Sequence, residues 1–329
     1  MDAGRLMTPT SPNQASWEHQ NALDVLILIN PNAGRGPKEE LANRLVDSLR
    51  ANGLQPRLID SLDELSSTSA RLAQQKKLRC VVAIGGDGTV RAVANSVLAD
   101  GASRGVEIPI AVVPMGTENL IAHQFKMTAD VTAATAAVQQ RSVQMLDAGR
   151  VNGQLFLIMF SCGFDADVIQ RLHRARTGNI SHFSYAKPIF SSLLHYRFPS
   201  LRLIAENAKT GAHQAFDSHW VFAFNLPNYA RGLPIATQAD ANDGQLDVCA
   251  FRGGSRTAGF FHFATVLTGW HGRWSGCYRE RFTKLRIEAS EPVPYQVDGD
   301  AGGSLPVEVE ILPSYVSIVL PAHQKATSG

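Results

Sequence analysis

Asp87 stands inside the segment GGDGTV, Gly85 to Val90, between the apolar run Val81–Ile84 and a stretch with helical periodicity. Glycines between a buried strand and a helix let the backbone turn sharply and present N–H groups to an anion, with the positive end of the helix dipole behind them. Phosphate is the natural guest of such a turn. A carboxylate among phosphate-facing amides repels that guest unless a divalent cation sits between them, so Asp87 points to a nucleotide accompanied by Mg2+. The bland alternative is a tight turn with Thr89 as helix cap, and Asp87 closing the turn or capping the helix. Two common phosphate signatures are missing: there is no GxxxxGK[ST], and Arg91 stands where a dinucleotide pattern built on Gly86 and Gly88 needs its third glycine. A protein-kinase catalytic loop is missing too.

Such a loop needs a strand before it and a helix after it, and the sequence supplies that plan three times. Val25–Ile29 reads as a buried strand ending in NPNAGRG, with Pro37 suited to the first turn of a helix carrying Leu41, Leu45 and Leu49. Val81–Ile84 leads through GGDGT into Val90, Val93, Ala94, Val97 and Leu98, which share one helical face. Ile110–Val113 ends in PMGTEN before the helical stretch Leu120–Phe125. The pattern predicts an α/β domain with a mainly parallel sheet over 22–148, its loops gathered at the carboxyl ends of the strands. Beyond Asp147, the runs Leu155–Phe160, Trp220–Phe224, Leu246–Phe251, Leu285–Glu288 and Val307–Leu312 predict a β-sandwich domain over 149–322. A helical insertion is expected near 168–200, a disordered polar head over 1–21, and a short tail over 323–329.

Composition removes several function classes. Among 329 residues, 44% are apolar, enough for two cores, and 31 Lys and Arg against 29 Asp and Glu leave no field for binding nucleic acid. Cys80, Cys162, Cys249 and Cys277 form no CxxC pair, which excludes a zinc knuckle or a disulfide framework and fits a reducing cytoplasm. The ten histidines include no HExxH or HxH, and no apolar run is long enough to span a bilayer. From Val168 to Ala205 there is no acid, while Arg171, Arg174, Arg176, Lys187, Arg197 and Arg202 alternate with Phe183, Tyr185, Phe190, Tyr196 and Phe198. This stretch suits transient contact with anionic headgroups, or an ordinary insertion with solvated arginines. A homodimer through an exposed strand is compatible with the pattern and not required by it.

GGDGTV, preceded by NPNAGRG and followed by PMGTENLIAH, CGFDADV, NLPNYARGLPIA, DGQLDV and QVDGD, resembles the diacylglycerol kinase catalytic domain family, which includes sphingosine kinases and soluble bacterial lipid kinases. The resemblance covers Leu23 to about Leu320 and implies ATP and Mg2+ as cofactors, a lipid substrate, and a cleft between an α/β nucleotide domain and a β-sandwich. It places Asn30, Pro31, Asn32, Ala33 and Gly34 along the first nucleotide loop. Gly85, Gly86, Asp87, Gly88, Thr89, Val90 and Arg91 would lie around the phosphates, with Gly116, Thr117 and Asn119 in the third loop. It implies a structural magnesium on Asp243 with the carbonyls of Asp240 and Gln245, where the bland reading is an Asp-Gly hairpin turn. The catalytic base falls in Asp298-Gly299-Asp300, where the family has Asp-Gly-Glu, so Asp300 reaches about 1.5 Å less far.

Two further departures stand out: Arg91-Ala92 where many bacterial relatives have Asn-Glu, and Leu120 where they have Asp. The resemblance thus implies a cytoplasmic phosphotransferase, peripheral at the inner membrane surface, acting on diacylglycerol, a sphingoid base or a related lipid. The alternatives are an NAD kinase and a non-catalytic nucleotide- and lipid-binding module.

Overall fold

The apolar runs become strands of one continuous sheet. The computed structural model describes residues 22–30, 37–98, 107–174, 186–227, 229 and 235–322. The expectations for the head, the tail, Pro31 to Gly34, Arg176, Phe183 and Tyr185 lie outside the described residues.

The first domain runs β1 (Asp24–Ile29), α1 (Lys38–Ala51), β2 (Gln55–Ile59), α2 (Leu62–Gln74), β3 (Leu78–Gly85), α3 (Asp87–Leu98), β4 (Ile110–Pro114), α4 (Leu120–Gln124) and α5 (Val131–Gln140). Its four strands pair in parallel in the order β4-β3-β1-β2. All eight residues of β3 are buried, because helices cover both faces of such a sheet; this is why Cys80–Ile84 reads as an apolar run, with only Arg79 of the strand charged. α3 turns Val90, Val93, Ala94 and Val97 into the core, as their spacing requires.

The second domain is β-sandwich-like. It begins with β5 (Val143–Val151), β6 (Gln154–Phe156) and β7 (Met159–Cys162), and continues through the helices α6 (Phe164–Arg174) and α7 (Ala186–His195). Then come β8 (Leu201–Asn207), β9 (His213–Ser218), β10 (Trp220–Phe224), β11 (Leu246–Phe251), α8 (Arg256–Leu267), β12 (Cys277–Ala289), β13 (Pro294–Val297), β14 (Asp300–Ser304) and β15 (Val307–Val319). β7, β10, β11 and β12 pair antiparallel around a core that includes Phe160, Phe222, Phe251 and Phe282. α7 is tied to α6 by the Asp167 carboxylate, which accepts from Arg171 Nε at 2.7 Å and Ser192 Oγ at 2.6 Å.

Two features differ from the sequence reading. Leu155–Phe160 is not one strand: β6 ends at Phe156 and β7 starts at Met159, because the intervening N–H groups turn toward a carboxylate instead of a ladder. The last strand is shared between domains, since β15 pairs with β12 at one end and Ile318 lies beside Ile110 of β4 at the other.

Candidate active site

The glycine loops first meet each other. A Cβ on Gly86 would lie 3.0 Å from the Cα of Gly116, and one on Gly116 would collide with the Cα of Gly86. The loops after β3 and β4 therefore touch backbone to backbone. A Cβ on Gly85 would collide with the side chain of Thr89, which is buried and accepts from Asn30 Nδ2 at 3.0 Å. Asn119, at φ +52°, closes the third loop by accepting from the Gly116 N–H at 2.8 Å and donating to its carbonyl at 2.9 Å. Thr117 is exposed at the tip. Gly116→Ala must push two backbones apart, so it is expected to lower stability by about 1–3 kcal/mol. Urea denaturation checks this, and a nucleotide titration should weaken in parallel.

Asp87 has a different partner from the one expected. Its two oxygens accept from the N–H groups of Leu120 and Ile121 at 2.9 and 3.0 Å, which fastens the start of α4 to the start of α3. Burial pushes its carboxyl up, and the two N–H groups pull it back. Two backbone dipoles therefore face the carboxylate held in this loop. The side chain of Val90 is likewise corrected: it is 1% exposed and belongs to the core, and the N–H groups of Thr89 and Val90 both donate to the Gly86 carbonyl. Only the leading N–H groups of α3 lack an acceptor within the helix.

Facing that first turn is the Asp298-Gly299-Asp300 turn between β13 and β14. A Cβ on Gly88 would lie 3.4 Å from Asp300 Oδ2. Arg91 bridges the domains: Nη2 donates to Asp300 Oδ2 at 2.6 Å and Nη1 to the Val297 carbonyl at 2.7 Å. On the other side, Asp300 Oδ1 lies 3.7 Å from His173 Nε2 of α6. Asp300 is thus half-exposed at the meeting of both domains.

The Asp298 carboxylate is occupied by backbone donors. The residue is enclosed, sits at φ +49°, and accepts from the N–H groups of Leu157, Ile158 and Met159, each at 2.9 Å. Burial pushes its carboxyl up while Arg91 and the three N–H groups pull it down. The Gly299 N–H donates to Gln296 Oε1 at 2.7 Å, and Gln296 Nε2 donates to Ser161 at 2.9 Å and Asp165 at 3.2 Å. Asp165 also accepts from Tyr229 at 3.0 Å. Sequence reasoning named the motifs holding Asp165, Tyr229 and Gln296 without giving these residues work, and it missed His173; their signal was only that polar side chains recur in apolar surroundings.

Asp243, Asp240 and Gln245 lie away from this cleft, against Asp147, whose carboxylate accepts from the Gly244 N–H at 2.6 Å. Asp243 accepts from the Gln245 N–H at 3.0 Å, and its Oδ2 lies 3.4 Å from Arg281 Nη1. The same guanidinium reaches Asp247 at 3.3 Å and the Gln238 carbonyl at 3.0 Å. Burial pushes both carboxyls up and Arg281 pulls both down. Gln245 Oε1 and Asp247 Oδ2 are buried side-chain oxygens left without a partner beside Asp243. One guanidinium serves Asp243 and Asp247 with Asp240 close by, so negative charge is left over and the donor set fits the cation that the resemblance implies. Arg281→Met is expected to lower stability by about 1–2 kcal/mol, the partly exposed pair being screened. Mg2+ alone should raise the wild-type melting temperature, and an unchanged one would remove the metal reading.

A cleft of about 580 Å3 opens beside the first loop, lined by Ile29, Pro37, Lys38, Glu39, Glu40, Leu58, Ile59 and Asp60. Its size is that of a small-molecule site. An α/β domain with three strand-end loops, faced by a carboxylate from a β-sandwich-like domain, has the build of a phosphotransferase with an alcohol acceptor. The chain matches the model of the diacylglycerol kinase catalytic domain over residues 24–151 and that of the YegS C-terminal NAD kinase beta sandwich-like domain over 159–320. It belongs to the diacylglycerol kinase family of lipid kinases.

Among its relatives, the "Diacylglycerol kinase" of Mycobacterium tuberculosis is 28% identical over 91% of this chain and 96% of the relative. The "Probable lipid kinase YegS-like" of Pseudomonas aeruginosa is 31% identical over 74% of this chain and 76% of the relative. A crystal structure titled as a diacylglycerol kinase from Bacillus anthracis superposes with TM-score 0.63 at 18% identity, over 90% of this chain and 96% of the other. That likeness concerns the fold.

Proposed function

We propose that this protein transfers the γ-phosphoryl group of ATP, taken up as its magnesium complex, to the hydroxyl of diacylglycerol, a sphingoid base or a related lipid, on the cytoplasmic face of a membrane. The observation that carries this reading is Asp300, held by Arg91 at 2.6 Å and standing over Gly88 at the first turn of α3. The cleft beside β1 and β2 takes the nucleoside, the exposed Thr117 contacts the nucleotide, and the leading N–H groups of α3 receive the phosphates. Bound with the nucleotide, magnesium would supply neutralisation of charge on the phosphoryl oxygens.

Asp300 Oδ1 accepts the proton of the lipid hydroxyl as the alcohol oxygen attacks the γ-phosphorus, and the bond to the bridging oxygen of ADP breaks. Arg91 keeps Oδ2 in place during the transfer. γ-labelled ATP with Mg2+ and a panel of lipid alcohols, with NAD as a further acceptor, tests this. Label in lipid is the expected result. Label in NAD favours the NAD kinase reading, and nucleotide binding without labelled product makes the protein a binding module.

A further inference from the structure

The exposed aromatic side chains of the described residues lie together, outside the candidate active site. α8 buries only Gly259, His262 and Val266, while Phe260, Phe261 and Leu267 on its outer side are 58%, 56% and 53% exposed. The one-turn 3-10 helix that follows, Trp270–Arg273, leaves Trp270 68% and the adjoining Trp274 40% exposed. Trp274 stacks on Phe261, with ring centroids 6.4 Å apart. α7 packs against α8 and adds Phe190 and Leu194, one helical turn apart, at 65% and 49%. Phe198 fixes this arrangement, because a Cβ on Gly259 would fall within its ring. Of twelve large apolar side chains exposed among the described residues, seven are here, so the patch is not the ordinary scatter of surface hydrophobics.

The stretch that builds its centre carries cations and no acids. From Val248 to Arg279 the sequence contains no Asp or Glu, yet it carries Arg252, Arg256, Arg273 and Arg279, all exposed. Lys187 and Arg197 are exposed at the two ends of α7. Tryptophan and phenylalanine settle at the headgroup level of a bilayer, and cations beside them meet anionic phosphodiesters. A two-fold contact between copies would instead bring arginines of the same face together, which repels.

We infer that α7, α8 and the 3-10 turn form the face by which this protein docks on an anionic lipid bilayer. The inference rests on the lipid-kinase reading and adds the surface that brings the enzyme to its substrate. The acid-free stretch around α6 and α7 forms only one edge of it, and α8 with its tryptophans forms the centre. Docking on α7 is mechanically close to the chemistry, since α7 is fastened to α6 through Asp167 and α6 carries His173 beside Asp300.

The test is co-sedimentation of the full chain with vesicles of phosphatidylcholine alone or mixed with phosphatidylglycerol, followed also by tryptophan emission. Binding is expected to the mixed vesicles, to weaken with salt, and to shift emission to the blue, because Trp270 and Trp274 are exposed whereas Trp220 is buried at 2%. The pair Phe260→Ser and Trp270→Ser should lower binding at least about tenfold. The pair Arg256→Gln and Arg273→Gln should lower it about 25-fold, at about fivefold per cation, on the mixed vesicles only. Both variants should keep the wild-type melting temperature and the wild-type rate on detergent-dispersed lipid.

No binding of wild type to the mixed vesicles, or unchanged binding by both variants, overturns the inference. So does a dimer, seen by sedimentation equilibrium, that the Phe260 and Trp270 variant dissolves; the face would then belong to a second copy. Label transfer to dispersed lipid without vesicle binding sinks the docking face alone, and vesicle binding without label transfer to any lipid sinks the kinase reading alone.

Discussion

Asp300→Asn is expected to lower kcat by about 10²–10⁴-fold, the range for removal of a positioned general base. Nucleotide affinity should stay within about twofold, since the amide keeps the size of the carboxylate and removes no group that binds phosphate. The substitution isolates chemistry from placement: an amide oxygen still accepts from Arg91, which now donates to Asp300 Oδ2 at 2.6 Å, but it cannot take a proton from an alcohol. Arg91→Ala makes the complementary change. It frees a side chain that is 46% exposed and tethered to the first domain through Arg91, and a displacement of about 1 Å lowers rates by up to about 10²-fold. Because Arg91 works through Asp300, the double variant should be no slower than Asp300→Asn alone. Single-turnover rates with labelled ATP, alongside calorimetric titration of the nucleotide, check both statements. An Asp300→Asn enzyme with more than a tenth of wild-type kcat would remove Asp300 from the base role.

The legible parts of this molecule are those where one kind of burial dictates one pattern. Trp220–Phe224 and Leu246–Phe251 are the strands β10 and β11 residue for residue, because a strand buried on both faces is mostly apolar; Asp247, the one charged residue of β11, is also its one half-buried position. The face of α3 is equally plain from its spacing. What the sequence hides is the direction of a polar side chain. Asp87 could be read as facing phosphate because nothing local tells that its oxygens meet N–H groups 33 and 34 residues later. Arg91 reads alone as a lost Asn and Asp300 alone as a shortened Glu; only their pairing across 209 residues makes the two departures one arrangement. Arg281, in the same way, sits 38 residues beyond Asp243, one of the two carboxylates it pairs with. The outer side of α8 is hidden for another reason. Apolar residues surround the whole helix, so no polar stripe separates the side packed on the core from the side facing solvent.

Asp298→Ala is expected to reduce stability by about 4–10 kcal/mol, the largest loss among these substitutions. Three backbone N–H groups, those of Leu157, Ile158 and Met159, converge on this carboxylate where water cannot replace it. Each orphaned buried donor is worth about 1–3 kcal/mol, and an alanine held at φ +49° adds about 1 kcal/mol that aspartate largely avoids. Asp298→Asn separates the contributions. Its single oxygen can still accept from Ile158 and Met159, which share Oδ1, but its amide turns toward the N–H of Leu157, so about 1–3 kcal/mol is expected. A domain of ordinary stability holds about 5–15 kcal/mol in total, so the alanine variant sits near the unfolding threshold while the asparagine variant remains folded. Urea denaturation of both measures the difference, and a loss of only about 1 kcal/mol confined to the alanine variant would show that the φ of this residue, not its hydrogen bonds, sets the energy. Because Asp298 is anchored to the break between β6 and β7 and Asp300 follows two residues later, the folded asparagine variant should also turn over more slowly, with nucleotide affinity unchanged.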